Sequence, residues 1–247
     1  MENTEMARQI GAYWFLIPLM VILGCQGTGA WLTSSEGEMG PAVENGIVVE
    51  PWGQIDGTAV HRYTLDNGRM RVRLTDYGAT VTECLVPGSH GTLTDIVLGF
   101  DAVDGYIDRS PYFGSIVGRC ANRIAGGRFT LDDAEQVLAT NNGEHHLHGG
   151  EKGFDKKIWD AKPITTEDGI GVEMVLTSAD GDEGYPGEVR AAVRYILTQD
   201  DTLRIEMAAS TDRATPVNLA HHSYWNLAGH DSGTILDQQL MLQSTRY

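Results

Sequence analysis

An antiparallel all-β domain is the fold class this sequence predicts, and three observations carry the prediction. Val189, Ala191, Val193, Tyr195 and Leu197 alternate with Arg190 and Arg194. After a Gln199-Asp200-Asp201 turn, Leu203, Ile205 and Met207 alternate with Arg204 and Glu206. A period of two gives an extended strand one apolar and one polar face, whereas an amphipathic helix needs apolar positions three and four apart. Second, residues 61–65, then Asp66-Asn67-Gly68, then residues 69–74 read as a β-hairpin, because Asn-Gly suits the positive φ angles of a type I′ turn. Third, 30 glycines in 247 residues supply the turns that many short strands require.

Taken in chain order, residues 10–23 form a nearly uncharged apolar run behind Arg8. The run is short of the roughly 20 residues a membrane-spanning helix needs and suits a signal-peptide core. It ends Ile22-Leu23-Gly24-Cys25, which resembles a bacterial lipobox. Residues 1–25 are therefore expected to export the protein, to the periplasm or to a membrane anchored through lipidated Cys25. Glu2 and Glu5 run against the basic amino-terminal region of such signals, an objection that initiation at Met6 removes. Residues 26–58, rich in Gly, Ser, Thr and Glu without periodicity, read as a flexible linker. The patterned domain occupies residues 59–247. In its first hairpin Met70, Val72 and Leu74 oppose Arg69, Arg71 and Arg73, giving one apolar and one cationic face. Residues 80–86 form a further strand, and only residues 101–107 suggest a helical turn. Residues 181–187, Gly-Asp-Glu-Gly-Tyr-Pro-Gly, read as a connector rather than a calcium loop.

A composition of 41% hydrophobic and 21% charged residues is that of a folded chain. A formal charge of −16 excludes nucleic acid as a partner, since phosphates need a basic face. With Cys25 in the leader, Cys84 and Cys120 remain, and both are expected as buried free thiols.

Five of the eight histidines fall in two short windows, residues 141–150 and 215–227. Imidazole exchanges protons near neutral pH, glycine admits close approach of a ligand, and aromatic rings stack on the apolar side of a sugar. The combination suggests proton transfer on a polyhydroxylated substrate. On a strand His146 and His148 would share a face with His145 turned away; no third ligand is near, which argues against a metal. His148, held by Gly149-Gly150, is the candidate of the first window. In the second, His221 and His222 point to opposite faces if extended, so one of them faces a site. Residues 118–127 hold Arg119, Asn122 and Arg123, whose donors suit sugar hydroxyls or, equally, a surface carboxylate.

In combination these segments resemble a family. Gly118-Arg119-Cys120-Ala121-Asn122-Arg123-Ile124, Leu147-His148-Gly149-Gly150, Gly153-Phe154 with Trp159, Asp182-Glu183-Gly184-Tyr185-Pro186-Gly187 and the run from Thr215 to Gly229 are similar to aldose 1-epimerase, or galactose mutarotase. The resemblance spans roughly residue 59 to the last residue. It implies an antiparallel β-sandwich of the galactose mutarotase-like supersandwich type and interconversion of the α and β anomers of a free aldohexose, galactose or glucose, with no cofactor. By the same resemblance His222 is the acid at the ring oxygen, and His148 hydrogen-bonds the sugar and stabilises developing charge. Asn122 and Arg123 grip hydroxyls, while Ser223 and Tyr224 shape the pocket. His221 stands where many members carry asparagine. The family's general base is a glutamate near its carboxyl end, and no residue here matches it. Since the sequence ends at Arg246-Tyr247, inside what reads as a strand, the resemblance implies a C-terminally truncated, inactive fragment. Hexose 6-phosphate epimerisation and a non-catalytic carbohydrate-binding module are the alternative functions.

Overall fold

The computed structural model describes residues 42–88 and 90–244. The expected signal segment with Cys25, and the terminal Arg246 and Tyr247, lie outside the described residues. The first sheet has six antiparallel strands in sequential order: β1 (Ala42–Glu44), β2 (Ile47–Ile55), β3 (Thr58–Asp66), β4 (Arg71–Thr75), β5 (Thr80–Pro87) and β6 (Leu93–Asp95). Regular structure therefore begins before residue 59. The expected linker over 26–58 is corrected for residues 42–55, which pair as strands because Ile47 and Val49 join the core. After α1 (Val103–Asp108), at the predicted helical turn, come β7 (Ile116–Val117), β8 (Arg123–Ile124), β9 (Arg128–Leu131), β10 (Ala134–Val137) and β11 (His146–Leu147). The second large sheet is the antiparallel meander β12 (Asp160–Thr165), β13 (Gly169–Ser178), β14 (Val189–Thr198) and β15 (Leu203–Thr211); β16 (Ala220–His221) follows.

The two sheets share one core. Tyr63, Leu65, Met70, Val72, Leu74 and Val81 from the first cluster with Val172, Met174, Ala191, Val193, Tyr195 and Leu197 from the second. This is the predicted sandwich, with the predicted faces inward: all five alternating apolar residues of β14 are buried. The Val and Leu side chains among them each stabilise the fold by roughly 1.5–3 kcal/mol through removal from water, and the Ala191 methyl by less. The Tyr195 hydroxyl, carried into this core, donates to the Ala79 carbonyl at 2.6 Å. Met207 departs from the expected inward row: β15 is the last strand of its sheet, and Met207 is exposed.

The first hairpin differs in its turn. Asp66 pairs with Arg71, so four residues, 67–70, form the loop rather than two. Only Gly68 of the Asn-Gly pair has positive φ. The Asn67 side chain explains the longer loop: its Oδ1 accepts the Arg69 and Met70 N–H groups at 2.9 and 2.7 Å, and its Nδ2 donates to the Thr198 carbonyl at 2.9 Å. Cys84 and Cys120 are buried free thiols, as expected. Among the described residues no helix is long and apolar enough to cross a membrane.

Two short ladders position the chemistry. In one, β16 pairs with β7, joining His221 to Ile116; in the other, β11 pairs with β8, joining Leu147 to Arg123. A parallel bridge from Cys120 to Asn218 ties the two together.

Candidate active site

His222 directly follows β16. Its N–H donates to the Ser115 carbonyl at 2.9 Å and its carbonyl accepts the Gly114 N–H at 3.2 Å, so the backbone on both sides of the ring is fixed. His148 directly follows β11 in a left-handed conformation, φ 52°. It exchanges hydrogen bonds with Asn122, itself at φ 63°: the His148 N–H reaches the Asn122 carbonyl at 3.0 Å, and the Asn122 N–H reaches His148 Nδ1 at 3.0 Å. Accepting at Nδ1 places the proton of the neutral ring on Nε2.

The imidazoles of His148 and His222 meet at right angles with centroids 4.9 Å apart. Tyr112 lies against both, 4.7 Å from His148 and 5.6 Å from His222, and is also left-handed at φ 68°. Left-handed backbone costs a residue with a Cβ about 1 kcal/mol or more, so three such residues around one point mark a site whose geometry overrides local preference. Tyr224 closes the group, 5.2 Å from His222 and 5.1 Å from Phe113. Gly149 makes the approach of this loop to residues 118–119 feasible: at φ 94°, a Cβ there would stand 1.7 Å from the Gly118 carbonyl oxygen.

Burial and nearby cations act on His148. Burial pushes His148 down to about 4, with His222 and Arg123 adding to the effect, so His148 is neutral at physiological pH. Arg123, exposed on β8, is steered by its Nε donating to Asn142 Oδ1 at 3.1 Å. Asp155, on a 3-10 turn over Phe154–Lys156, is buried with Oδ2 3.1 Å from Lys156 Nζ. Burial raises its carboxyl above the ordinary range, and its charge is felt at Tyr112 and His222.

The structure thus gathers His148, His222, Asn122, Arg123 and Tyr224. Ser223 is not among them: its hydroxyl turns to His221 Nε2 at 3.1 Å. His221 packs against Tyr195 and Trp225, with centroids 5.9 and 6.4 Å away, and burial pushes it down to about 4. The expectation that His146 and His148 share a face is corrected. The left-handed turn at His148 breaks the alternation, and His146 is buried between the Ala139 carbonyl and the Tyr185 hydroxyl, each 2.8 Å away. Arg119 takes neither expected role. It is buried, its guanidinium donating to Ser178 Oγ at 3.0 Å and to the carbonyls of Ser178, Ala179 and Pro186 at 2.9, 2.7 and 3.0 Å. Among the described residues no cluster of His, Cys, Asp or Glu is arranged to hold a metal ion.

Two contributors escaped the sequence reading. Tyr112 lies in Ser110-Pro111-Tyr112-Phe113-Gly114, where Pro and Gly signal a turn but nothing signals which way the ring goes. Asp155 directly follows the Gly153-Phe154 pair, and only its burial distinguishes it from a surface carboxylate.

Comparison with known proteins adds the family. The model of the family described as "Aldose 1-epimerase" matches residues 61–247. A galactose mutarotase of Bos taurus is 44% identical over 188 residues, 76% of this chain and 54% of that protein. The aldose 1-epimerase of Escherichia coli (strain K12) is 37% identical over 193 residues, 78% of this chain and 55% of that protein. Among solved structures, the galactose 1-epimerase of Lactobacillus acidophilus NCFM superposes with a TM-score of 0.67 at 28% identity, covering 75% of this chain and 54% of that one. The chain thus spans about half the length of the curated relatives it matches.

Proposed function

The chain belongs to the aldose 1-epimerase family, and on that premise we propose that its two-histidine site serves interconversion of the α and β anomers of a free aldohexose. The observation that carries this reading is the perpendicular pair His148–His222 beside Asn122 and Arg123, the two imidazoles differing in environment.

Anomer exchange moves two protons. One leaves the C1 hydroxyl as another reaches the ring oxygen; the bond from C1 to the ring oxygen breaks and C1 becomes an aldehyde. A half-turn about C1–C2 and the reverse steps give the other anomer. Acid and base acting together avoid full charge on either oxygen. His222 is the proton donor to the ring oxygen. His148, neutral with its proton on Nε2, donates a hydrogen bond to a sugar oxygen and steadies the charge that develops there. Asn122 and Arg123 hold hydroxyls, and Tyr224 offers a ring face to the sugar. By family resemblance the acceptor of the C1 proton is a glutamate, to which no described residue corresponds. The acidic chain favours a neutral hexose over a hexose 6-phosphate.

Polarimetry on freshly dissolved α-D-glucose and α-D-galactose tests the reading with a purified protein that spans the full length of the curated relatives and so includes the family's glutamate. The expected result is a rate above that of buffer alone. No acceleration, with sugar binding retained in calorimetry, would favour the carbohydrate-binding module instead. For the leader, export with lipidation at Cys25 is the accompanying proposal; failure of a radiolabelled lipid precursor to mark the protein would end it.

A further inference from the structure

We propose that Tyr112 is a positioning residue for the two-histidine site, its ring wedged against both imidazoles so that the angle between them is fixed. The proposal rests on the roles given above to His148 and His222 and extends them to a residue that neither motif contains. Three observations support it. The ring makes a triangle with the imidazoles, its centroid 4.7 Å from one and 5.6 Å from the other, which are themselves 4.9 Å apart. The backbone of Tyr112 is coupled to that of His222 through one residue: the Tyr112 carbonyl accepts Ser115 N–H at 3.3 Å and Ser115 Oγ at 3.1 Å, and the Ser115 carbonyl accepts the His222 N–H at 2.9 Å. Finally, the residue is aromatic yet left-handed, a conformation that persists only where the surroundings demand that side chain in that place.

The neighbourhood of the ring is charged as well as aromatic. Lys156 Nζ stands 6.0 Å from its centroid, and Asp155, Glu151 and Arg123 act on its phenol, while His148 faces His222 and Arg123. Tyr112 is the apolar surface among these groups. Without it the two imidazoles gain water and rotational freedom, and proton transfer loses its alignment.

Two variants separate positioning from mere packing. Tyr112→Phe keeps the ring; Tyr112→Leu keeps apolar bulk without it. The expected result is that Tyr112→Leu lowers kcat about tenfold or more with KM within about twofold, while Tyr112→Phe stays near the parent. Independently of activity, the His148 titration followed by imidazole NMR should move up by about one unit or more in Tyr112→Leu and stay in place in Tyr112→Phe. A Leu variant with unchanged kcat and unchanged titration overturns the proposal. So does a change in KM alone, which would make the ring a sugar wall, or a Phe variant as impaired as Leu, which would make the hydroxyl the active part. Should Tyr112→Leu fail to fold, nuclear Overhauser contacts from Tyr112 to both imidazoles in the unaltered protein decide, and their absence overturns it. Absence of mutarotation by the unaltered protein would instead count against the proposed function, leaving the titration to judge Tyr112.

Discussion

The four-stranded sheet and the loops that carry His148 and His222 belong to one domain and are held by opposite means. Strands β13 and β14 pair without a break from Gly169↔Thr198 to Ser178↔Val189, and their inward side chains join a single apolar core. The histidines stand at the ends of two-residue strands, with left-handed residues and side-chain hydrogen bonds in place of a long ladder. Asn141 is typical: its Oδ1 accepts the Leu147 N–H at 2.7 Å and its Nδ2 donates to the carbonyls of Leu147 and Gly150 at 3.0 and 2.9 Å. The sheet is stabilised by area removed from water, which many sequences supply. The loops are stabilised by particular atoms at particular angles, which few do.

That contrast can be broken first at Arg119, whose guanidinium joins the end of β13 at Ser178 to the Pro186 carbonyl ahead of β14. Arg119→Ala strands several buried acceptors and leaves a cavity; a loss of about 3 kcal/mol in unfolding free energy is expected, read from denaturant midpoints. His222→Asn in a full-length version should do the converse, lowering kcat at least about a hundredfold, equivalent to about 2.7 kcal/mol, with an unchanged melting temperature. A near-normal kcat would mean that another residue delivers the proton. Gly149→Ala lies between the two: strain at positive φ and a clash with the Gly118 carbonyl should cost about 2 kcal/mol and reduce activity together. An effect on only one of the two would show that loop position and loop stability are separable.

The smallest effect is a pH dependence. His221 is held near 4 in the folded protein against an ordinary value of about 6.5. Between those values the unfolded chain binds a proton that the folded one does not, so this stability is complete above 6.5 and is lost as pH falls toward 4. His148 acts in the same direction. Asp76 and Asp155, raised by burial, act oppositely, their share being lost as pH rises above the ordinary carboxylate range. The slope of melting temperature against pH across 4–6.5 should therefore be more positive in the parent than in His221→Gln, by the share His221 contributes.

The same contrast explains what could be read from the sequence. Alternation from Val189 to Leu197 and from Met70 to Leu74 revealed strand, face and core because period two is a direct consequence of the pleat. Edge position is not encoded in the pattern, so Met207 read as core and is exposed. The motif resemblance reached Asn122, Arg123, His148, His222 and Tyr224 because it carries three-dimensional information that local patterning lacks. It did not reach Tyr112, whose left-handed turn is dictated by partners distant in the chain. Ser223 and His146 show the limit from the other side: each adjoins a site residue or lies two positions away, and each is held by other partners, Ser223 by His221 and His146 by the Ala139 carbonyl and the Tyr185 hydroxyl.

The β9–β10 hairpin interrupts the segment between Arg123 and His148, and its base is closed by the Leu138 N–H on the Gly127 carbonyl at 2.7 Å. Its tip, Asp132-Asp133, is exposed and left-handed at both residues. Because the excursion begins and ends at the same place, its outer end is mechanically insulated from the imidazoles. A reporter dye or an inserted peptide at that tip would ride on the domain without reaching the two-histidine site.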